Sequence, residues 1–476
     1  MTADASTVPT DEGADALTPT DVVAGFVAGF DPRELPAAAR ATARRGYLDC
    51  LGVALAGSAQ PAGMIAARFA AGQGTGPATV WGHAFTAAPA TAALVNGTAA
   101  HALDYDDVNW ALLGHPSVSL VPATLAAGEA AGATGAQLID AYACGFEVLA
   151  ALGRSTMPGL SFDGGWHATG ALGAIGATAA VAHLLRLDPG QVRHALGIAV
   201  SEASGVVRNF GTMTKPLHAG LAAQAGIQAA GLAAAGFTAD PASLEGKHGF
   251  YACFGARSAV RPAALRQLGQ VWELDRTGVV IKPYPCGVAG HPAIDAGLAL
   301  RQRLGPVRAG QVARITVGVT SYTLDKMRYV WPENELQAKF CIPYQLARAL
   351  VTGPPTLADF TAAGVAASPE VRALAELTEL FLDEEIEHEW RRAGGSRPCR
   401  VRIEFTDGRG ETELVRVSKG NPQLPLTDDE LRAKFRDAAS LAATPDRITE
   451  LIETAERIDT VPHAADLARL LRAPAA

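Results

Sequence analysis

The sequence predicts a mainly α-helical protein in which a large helical domain carries an inserted, smaller α+β domain. From Thr18 to about Leu268, alanine is abundant and apolar residues recur three and four positions apart, as on a buried helix face. After about Arg276, several stretches place apolar residues at every second position, which is typical of half-buried strands. The length of 476 residues allows more than one domain.

Four segments follow from this change of pattern. Residues 1–16 are polar and acidic and are expected to be a disordered N-terminus. Residues 17–276 are expected to form the helical domain, and residues 277–424 the α+β domain. Residues 425–476 are expected to return to the large domain as helices.

Sequence signals typical of helix N-termini indicate where several helices begin. The stretch Thr18–Asp21 has proline in the first turn and an acid near the positive end of the helix dipole. Buried helices are expected over Leu120–Ala131 and Gly170–Leu187, and a further helix begins near Asp188. Thr427 to Glu430 has the spacing of a capping box, so we expect the last helical segment to begin there.

The α+β domain is expected to alternate strands with helices. Asp407 and Gly408 predict a hairpin turn between the last two strands. The expected strands are Val279–Ile281, Val312–Val319, Arg400–Phe405 and Glu411–Val417. The expected helices are Pro292–Leu304, Ile342–Thr352 and Ser368–Leu380.

The composition narrows the class of protein. Hydrophobic residues make up 49% of the chain, so a sizeable core can be buried. The net charge of −8 disfavours a nucleic-acid partner, which would usually meet a basic surface. The six cysteines are scattered without a CxxC pair, which favours free thiols and a cytoplasmic location. No apolar run indicates a membrane partner or a signal peptide.

Acids, imidazoles and ammonium groups recur at glycine and proline breaks, as in a site that moves a proton on an anionic substrate. They occur in four segments, which are His101–Ser117, Gly164–Gly170, Met213–Gly220 and Lys282–Cys286. His115 stands just before a helix start, where backbone donors suit anions. A lone histidine is more often structural, but His167 in a comparable setting favours a functional reading of both.

The acids and lysines each allow two interpretations. Asp104, Asp106 and Asp107 are close enough in sequence to shift each other's pKa, or they are capping residues at a helix end. Lys215 and Lys282 either bind a carboxylate or lie on the surface.

Two other kinds of site are disfavoured. His101, Asp104 and His115 have the residue types of a metal site, but no HExxH motif or cysteine cluster supports one, so no metal is expected. Ser117 and Ser161 lack the G-x-S-x-G setting of a serine hydrolase.

Taken together, the chain resembles the MmgE/PrpD family from about residue 16 onward. The matching stretches are Asn96–Asp107, Gly114–Ser117, Gly165–Gly170, Gly211–Gly220 and Lys282–Cys286. The resemblance implies a large helical domain with a smaller α+β lid domain, a homodimer and a site that works without a cofactor. It also implies catalytic roles for Asp104, His115, His167, Lys215 and Tyr322, and substrate binding by Lys282, His291 and His101.

The resemblance implies a cofactor-independent lyase that moves a proton next to a carboxylate of a small di- or tricarboxylate. A 2-methylcitrate dehydratase-like activity is expected first; a cis-aconitate decarboxylase, an epimerase or isomerase, and a non-catalytic binding protein are the alternatives. Two departures from the animal decarboxylase argue against itaconate formation. Gly287 stands where that enzyme has a histidine, and Val108 stands where it has a threonine.

Overall fold

The computed structural model describes residues 17–255, 260–366 and 369–474. The predicted disordered segment 1–16 lies outside the described residues. The described chain divides into two compact units. The helical unit contains residues 17–102, 106–279 and 432–474, and the mixed unit contains residues 103–105 and 280–431. The predicted boundaries fall after residues 276 and 424, and the role of a lid stays a prediction.

The helical unit begins with twelve α-helices, and the predicted mainly α-helical fold is confirmed. In chain order they are α1 (Pro19–Gly29), α2 (Ala37–Ser58), α3 (Pro61–Ala71), α4 (Pro89–His101), α5 (Ser117–Ala131), α6 (Gly135–Thr156), α7 (Gly159–Phe162), α8 (Ala168–Leu184), α9 (Pro189–Glu202), α10 (Thr214–Ala234), α11 (Phe250–Phe254) and α12 (Glu273–Arg276).

Two of these helices, α1 and α9, begin at predicted signals. The Thr18 hydroxyl accepts a hydrogen bond from the Asp21 backbone N–H, and the Thr18 backbone N–H donates one to the Asp21 carboxylate, which forms a capping box at α1. Asp188 does the same with Gln191 at α9. The predicted helix over 170–187 is α8, whose N-cap is His167.

Small residues allow the central helices to approach closely. Helix α10 packs against both α4 and α8. A Cβ atom added at Gly97 of α4 would lie 2.9 Å from the Cα atom of Gly220 of α10. A Cβ atom at Gly220 would press on the Leu94 carbonyl oxygen and the Thr98 hydroxyl. This contact holds the C-terminal end of α4 beside the N-terminal half of α10.

One feature corrects the expectation that the large domain is entirely helical. A two-stranded antiparallel ribbon joins β1 (Ala78–Thr79) to β2 (Thr86–Ala87). Asn96 of α4 supports it, because its side chain accepts from the Trp81 backbone and donates to the Thr79 carbonyl. Strands of two residues are too short to leave an alternating pattern in the sequence.

Helix α6 is long and apolar enough to cross a membrane by length and composition, but 83% of its apolar window is buried inside the protein. A bent pair, α2 with α3, passes the same test only when it is counted as one span. Burial of this extent is what a core helix of a large helical unit shows.

The mixed unit combines helices with one four-stranded sheet. Its helices are α13 (His291–Leu304), α14 (Ser321–Lys326), α15 (Glu335–Ala338), α16 (Ile342–Val351), α17 (Ala362–Ala366), α18 (Pro369–Glu376) and α19 (Glu384–Ala393). Helix α20 (Asp428–Ala439) continues from this unit into the helical unit, which ends with α21 (Pro445–Glu456) and α22 (Ala464–Leu471). Short 3₁₀ turns lie at Pro32–Glu34, Val207–Asn209, Pro262–Gln267, Val288–Gly290, Ala309–Gln311, Leu357–Phe360 and Ile458–Thr460.

The sheet has the strand order β4-β3-β5-β6. The strands are β3 (Val312–Val319), β4 (Thr378–Leu382), β5 (Cys399–Phe405) and β6 (Gly410–Val415). Strands β5 and β6 pair antiparallel across the turn at residues 407 and 408, as predicted. Strand β3 pairs antiparallel with β5 and parallel with β4. Helix α13 packs on β5 and β6 and against α16.

Two expectations about this unit are wrong. The predicted helix over Ser368–Leu380 ends at Glu376, and the chain then continues as β4. The short run Val279–Ile281 is not a strand of either sheet. The Ile281 backbone N–H donates to the Gly420 carbonyl, and Pro283 has no N–H with which to continue a ladder.

We expect Gly220→Ala to destabilise the protein by about 1–3 kcal/mol, because the added methyl group must displace the backbone of α4. Gly231→Ala, on the same helix but with no atom within 4 Å of its added Cβ, should stabilise the protein by about 0.5–1 kcal/mol. Chemical denaturation of the two variants measures both effects. Equal stability of the two variants would contradict the close approach of α4 and α10.

Candidate active site

Four histidines lie together in the helical unit and form what we call the histidine cluster: His101, His115, His167 and His218. The ring centroids of His101 and His115 are 4.4 Å apart, and those of His101 and His167 are 5.8 Å apart. The ring of His218 lies 5.3 Å from that of His167. The structure therefore brings three predicted site histidines together and adds His218, which lies within the segment Met213–Gly220 and was assigned no role from the sequence.

Each histidine stands at or near a helix end. His101 is the last residue of α4, and His115 lies two residues before α5. His167 is the N-cap residue of α8, and His218 lies near the start of α10. The predicted position of His115 before a helix start is thus confirmed. The close contact between α4 and α10 is what brings the histidines at their ends together.

Asp106 joins two of the histidines. Its Oδ1 lies 2.9 Å from Nδ1 of His101, and its Oδ2 lies 2.7 Å from Nδ1 of His115. The Asp106 side chain is fully buried. Burial works to raise the pKa of this carboxyl group, but the two imidazoles outweigh burial and hold the pKa well below 3.8. Asp106 is therefore an ionised carboxylate that accepts from both rings.

Three imidazoles of the cluster, those of His101, His167 and His218, are neutral near pH 7. Burial lowers the pKa of His101 to about 4, and Lys215 and His115 add to this effect. Burial, His101 and Lys215 lower the pKa of His218 to about 4. The pKa of His167 also lies well below 6.5, mainly because the ring is buried. Neutral imidazoles accept protons, so the cluster is suited to acid–base chemistry.

Lys215 places a positive charge close enough to the histidine cluster to affect its pKa values. It is the second residue of α10, as expected for a helix entry before proline, and it is buried. Its Nζ lies 5.2 Å from the centroid of the Phe210 ring, and that ring lies 4.9 Å from His167. Its charge lowers the pKa of His101, His167 and His218. A carboxylate of a substrate would offset this positive charge.

Asp104 and Lys282, two further predicted site residues, form a buried ion pair in the mixed unit. Nζ of Lys282 lies 2.5 Å from Oδ1 of Asp104 and 2.7 Å from its backbone oxygen. Asp104 has a φ of +51°, a left-handed conformation that aspartate tolerates better than most residues. In this conformation the backbone oxygen and Oδ1 of Asp104 both contact the Lys282 ammonium group.

The other predicted residues of the mixed unit lie at separate elements. His291 begins α13, is buried, and has its ring 5.1 Å from that of Tyr284. Tyr322 lies in α14, where its ring is 4.2 Å from the Arg397 guanidinium. Their roles stay predictions. The sequence did not draw attention to Lys339, which is buried and donates to the Pro285 carbonyl oxygen at 2.8 Å.

The spacing of His101, Asp106 and His115 is that of hydrogen bonds. The nitrogen–oxygen distances are 2.9 Å and 2.7 Å. Two ligands of one tetrahedral zinc ion lie about 3.3 Å apart, since each is about 2.0–2.1 Å from the metal. Binding of one metal ion through these same atoms would require them to move apart, whereas their present distances fit hydrogen bonds.

The chain matches one family over both units. Residues 21–262 match the MmgE/PrpD N-terminal domain, and residues 284–459 match the MmgE/PrpD C-terminal domain. The chain belongs to the MmgE/PrpD family. The resemblance that the sequence motifs predict is thereby confirmed.

Several relatives of known name align over most of their length. Cis-aconitate decarboxylase of Mus musculus is 30% identical over 470 residues, which are 96% of this chain and 93% of the relative. Cis-aconitate decarboxylase of Homo sapiens is 29% identical over 445 residues, or 90% of each chain. The enzyme of the same name from Aspergillus terreus (strain NIH 2624 / FGSC A1156) is 26% identical over 419 residues, or 84% of each chain.

We expect the stability of the protein to fall as the pH is lowered from 7 to 5. His101 has a pKa near 4 when folded and about 6.5 when unfolded, so the unfolded state binds the proton more tightly in this range. The loss due to His101 is about 2 kcal/mol by pH 5. Calorimetry across this pH range should show a shallower decline of the melting temperature in His101→Asn. An identical decline in that variant would contradict the lowered pKa.

Proposed function

We propose that this protein is a cofactor-independent lyase that decarboxylates cis-aconitate to itaconate. The prediction of a lyase is confirmed at the level of the family and its decarboxylase relatives. The observation that supports the reaction most directly is the cluster of neutral imidazoles beside Lys215, because it combines proton exchange with a positive charge. The names of the relatives favour the decarboxylase over the dehydratase expected first.

The reaction needs one proton and no redox partner. The carboxylate on the CH₂ arm of cis-aconitate leaves as CO₂, and the electron pair of the broken C–C bond forms the new C=C bond to the central carbon. The former alkene carbon, which carries another carboxylate, takes up the proton. The trianion and one proton thus give the itaconate dianion and CO₂. The protein must hold carboxylates and deliver one proton to carbon.

Lys215 and the histidine cluster meet these two needs. The Lys215 ammonium binds a substrate carboxylate. The arriving negative charge raises the lowered pKa values of the neighbouring imidazoles, so a histidine takes up a proton when the substrate binds. His115 or His167 then delivers that proton to the alkene carbon. The roles expected of Asp104 and Lys282 from the sequence stay predictions.

A 2-methylcitrate dehydratase is the second candidate. Val108 and Gly287, which stand where the animal decarboxylase has threonine and histidine, favour it. The same cluster would then remove a proton next to a carboxylate while a second group protonates the leaving hydroxyl. An epimerase or isomerase of a dicarboxylate would need two bases, which the four histidines also provide.

A proton NMR time course in D₂O distinguishes these reactions. Purified protein is incubated in turn with cis-aconitate, 2-methylcitrate, citrate and iminodisuccinate. The proposal expects itaconate signals with one deuterium incorporated from solvent, and stoichiometric CO₂. Loss of water from 2-methylcitrate would replace the decarboxylase by the dehydratase, and deuterium exchange without net reaction would indicate an epimerase. No change with any substrate would contradict the proposed function.

We expect His115→Ala and His167→Ala to lose activity by about 100-fold or more, which is what a positioned acid or base contributes. His388→Ala is the matched control, because His388 is an exposed histidine of α19. Initial rates with the substrate identified above, together with circular dichroism to verify folding, measure the effect. Full activity in both cluster variants would remove these histidines from the mechanism.

Lys215→Ala should raise KM for the substrate and also lower kcat, because the ammonium binds a carboxylate that is present throughout the reaction. The exposed Lys247 provides the control Lys247→Ala, which should leave both constants unchanged. Steady-state kinetics of the two variants measure the difference. Unchanged constants in Lys215→Ala would show that the substrate does not contact this residue.

A homodimer and a cytoplasmic location are part of the proposal. The family resemblance supports the dimer, and the six unpaired cysteines support a reducing compartment. Light scattering after size-exclusion chromatography tests the dimer, and a mass of one chain would overturn it.

A further inference from the structure

We infer that Asp106 is a positioning residue that fixes His101 and His115 in the same tautomer, so that Nε2 of each ring is the atom that exchanges a proton with the substrate. The inference deepens the proposed function and rests on it for the identity of the substrate. It gives His101 a role in proton exchange in place of the substrate binding expected from sequence. Of the neighbouring aspartates Asp104, Asp106 and Asp107, it assigns the positioning role to Asp106.

The tautomer of His115 follows from its two partners. Its Nδ1 lies 2.7 Å from Oδ2 of Asp106 and 2.9 Å from the backbone oxygen of Asp107. An ionised carboxylate and a backbone carbonyl only accept hydrogen bonds. Nδ1 of His115 must therefore carry the hydrogen, which leaves the lone pair of the neutral ring on Nε2.

The same reasoning applies to His101. Its Nδ1 lies 2.9 Å and 3.1 Å from the two oxygens of Asp106. Because this carboxylate is ionised, Nδ1 of His101 is again the donor. Its Nε2 is buried and has no hydrogen-bond partner among the described protein atoms. A buried acceptor without a partner is costly, and a substrate group that donates or receives a proton there would satisfy it.

The shared carboxylate also limits the charge that the two rings can hold. One negative charge compensates one imidazolium, and His101 is already pressed toward neutrality by burial, Lys215 and His115. The other two rings of the cluster, His167 and His218, supply no negative charge that could compensate a second imidazolium. His101 and His115, which share the Asp106 carboxylate, therefore bind one additional proton at a time. One proton is what the decarboxylation of cis-aconitate consumes.

Selective ¹⁵N labelling of histidine tests the tautomers without any need for activity. The chain has 11 histidines, so a two-bond ¹H–¹⁵N correlation spectrum contains at most 11 ring patterns. The signals of the two rings are assigned by their loss in His101→Gln and His115→Gln. The inference expects both rings of the wild-type protein to be neutral at pH 7.5 with the hydrogen on Nδ1. A hydrogen on Nε2 of either neutral ring would overturn it.

Asp106→Asn then tests whether the carboxylate is the cause. An amide accepts through its oxygen and donates through its nitrogen, so it can serve only one ring in the original way. The Asp107 carbonyl keeps His115 as an Nδ1 donor, so we expect His101 to change to the Nε2–H tautomer. With the substrate, kcat should fall by about 100-fold or more, whereas KM changes little. Unchanged tautomers in this variant would overturn the inference.

Two further variants separate positioning from general damage. Glu147→Gln also converts a buried carboxylate of the helical unit to an amide, and it should leave the tautomers and kcat unchanged. If Asp106 acts through His101, the double variant Asp106→Asn/His101→Gln should be little slower than His101→Gln alone, and multiplied losses would contradict this. If no tested carboxylate is turned over, the proposed function fails, whereas the wild-type tautomers still decide the role of Asp106. They do so even if Asp106→Asn fails to fold.

Discussion

A buried carboxylate held between two imidazoles is the interaction on which the arrangement of the candidate site depends. Asp106 can remain ionised without contact with water only because His101 and His115 both donate to it. The two rings in turn lose their rotational freedom because they share one partner. The close approach of α4, which ends at His101, to α10, which carries His218, requires glycine at positions 97 and 220.

The electrostatics of the helical unit favour an anion. Buried imidazoles with lowered pKa values and the nearby Lys215 disfavour any added positive charge and attract a negative one. The chain as a whole carries a net charge of −8, so this preference is a local property of the cluster. In the mixed unit, Lys282 is neutralised by Asp104, which keeps a fully buried ammonium group tolerable.

Much of the site was predictable from sequence because its residues mark breaks in helices. Glycine and proline beside His115, His167 and Lys215 indicate helix ends, and the structure places each residue at or near one. The choice among three aspartates was not predictable, because it depends on which carboxylate reaches two rings from different helices. Asp106 stands five residues after His101, and that spacing alone carries no signal outside regular structure.

Prediction of the fold from sequence is limited in the same way, because some elements depend on partners distant in the chain. Strands β3 and β5 leave a clear alternating pattern, since one face of each is buried. Strand β4 continues directly from a helix and is defined by its parallel pairing with β3, which a local pattern does not reveal. Both wrong expectations, at β4 and at residues 279–281, concern short apolar runs whose state depends on the partner that each run finds.

Proton uptake on ligand binding tests the central claim most directly. Calorimetric titration with tricarballylate, a saturated analogue that cannot lose CO₂ by the proposed route, in two buffers of different ionisation enthalpy gives the number of protons taken up at pH 7. Neutral imidazoles beside Lys215 predict an uptake approaching one proton per site, which His101→Gln should diminish. Tight binding with no proton uptake would contradict a cluster that is charged by its substrate.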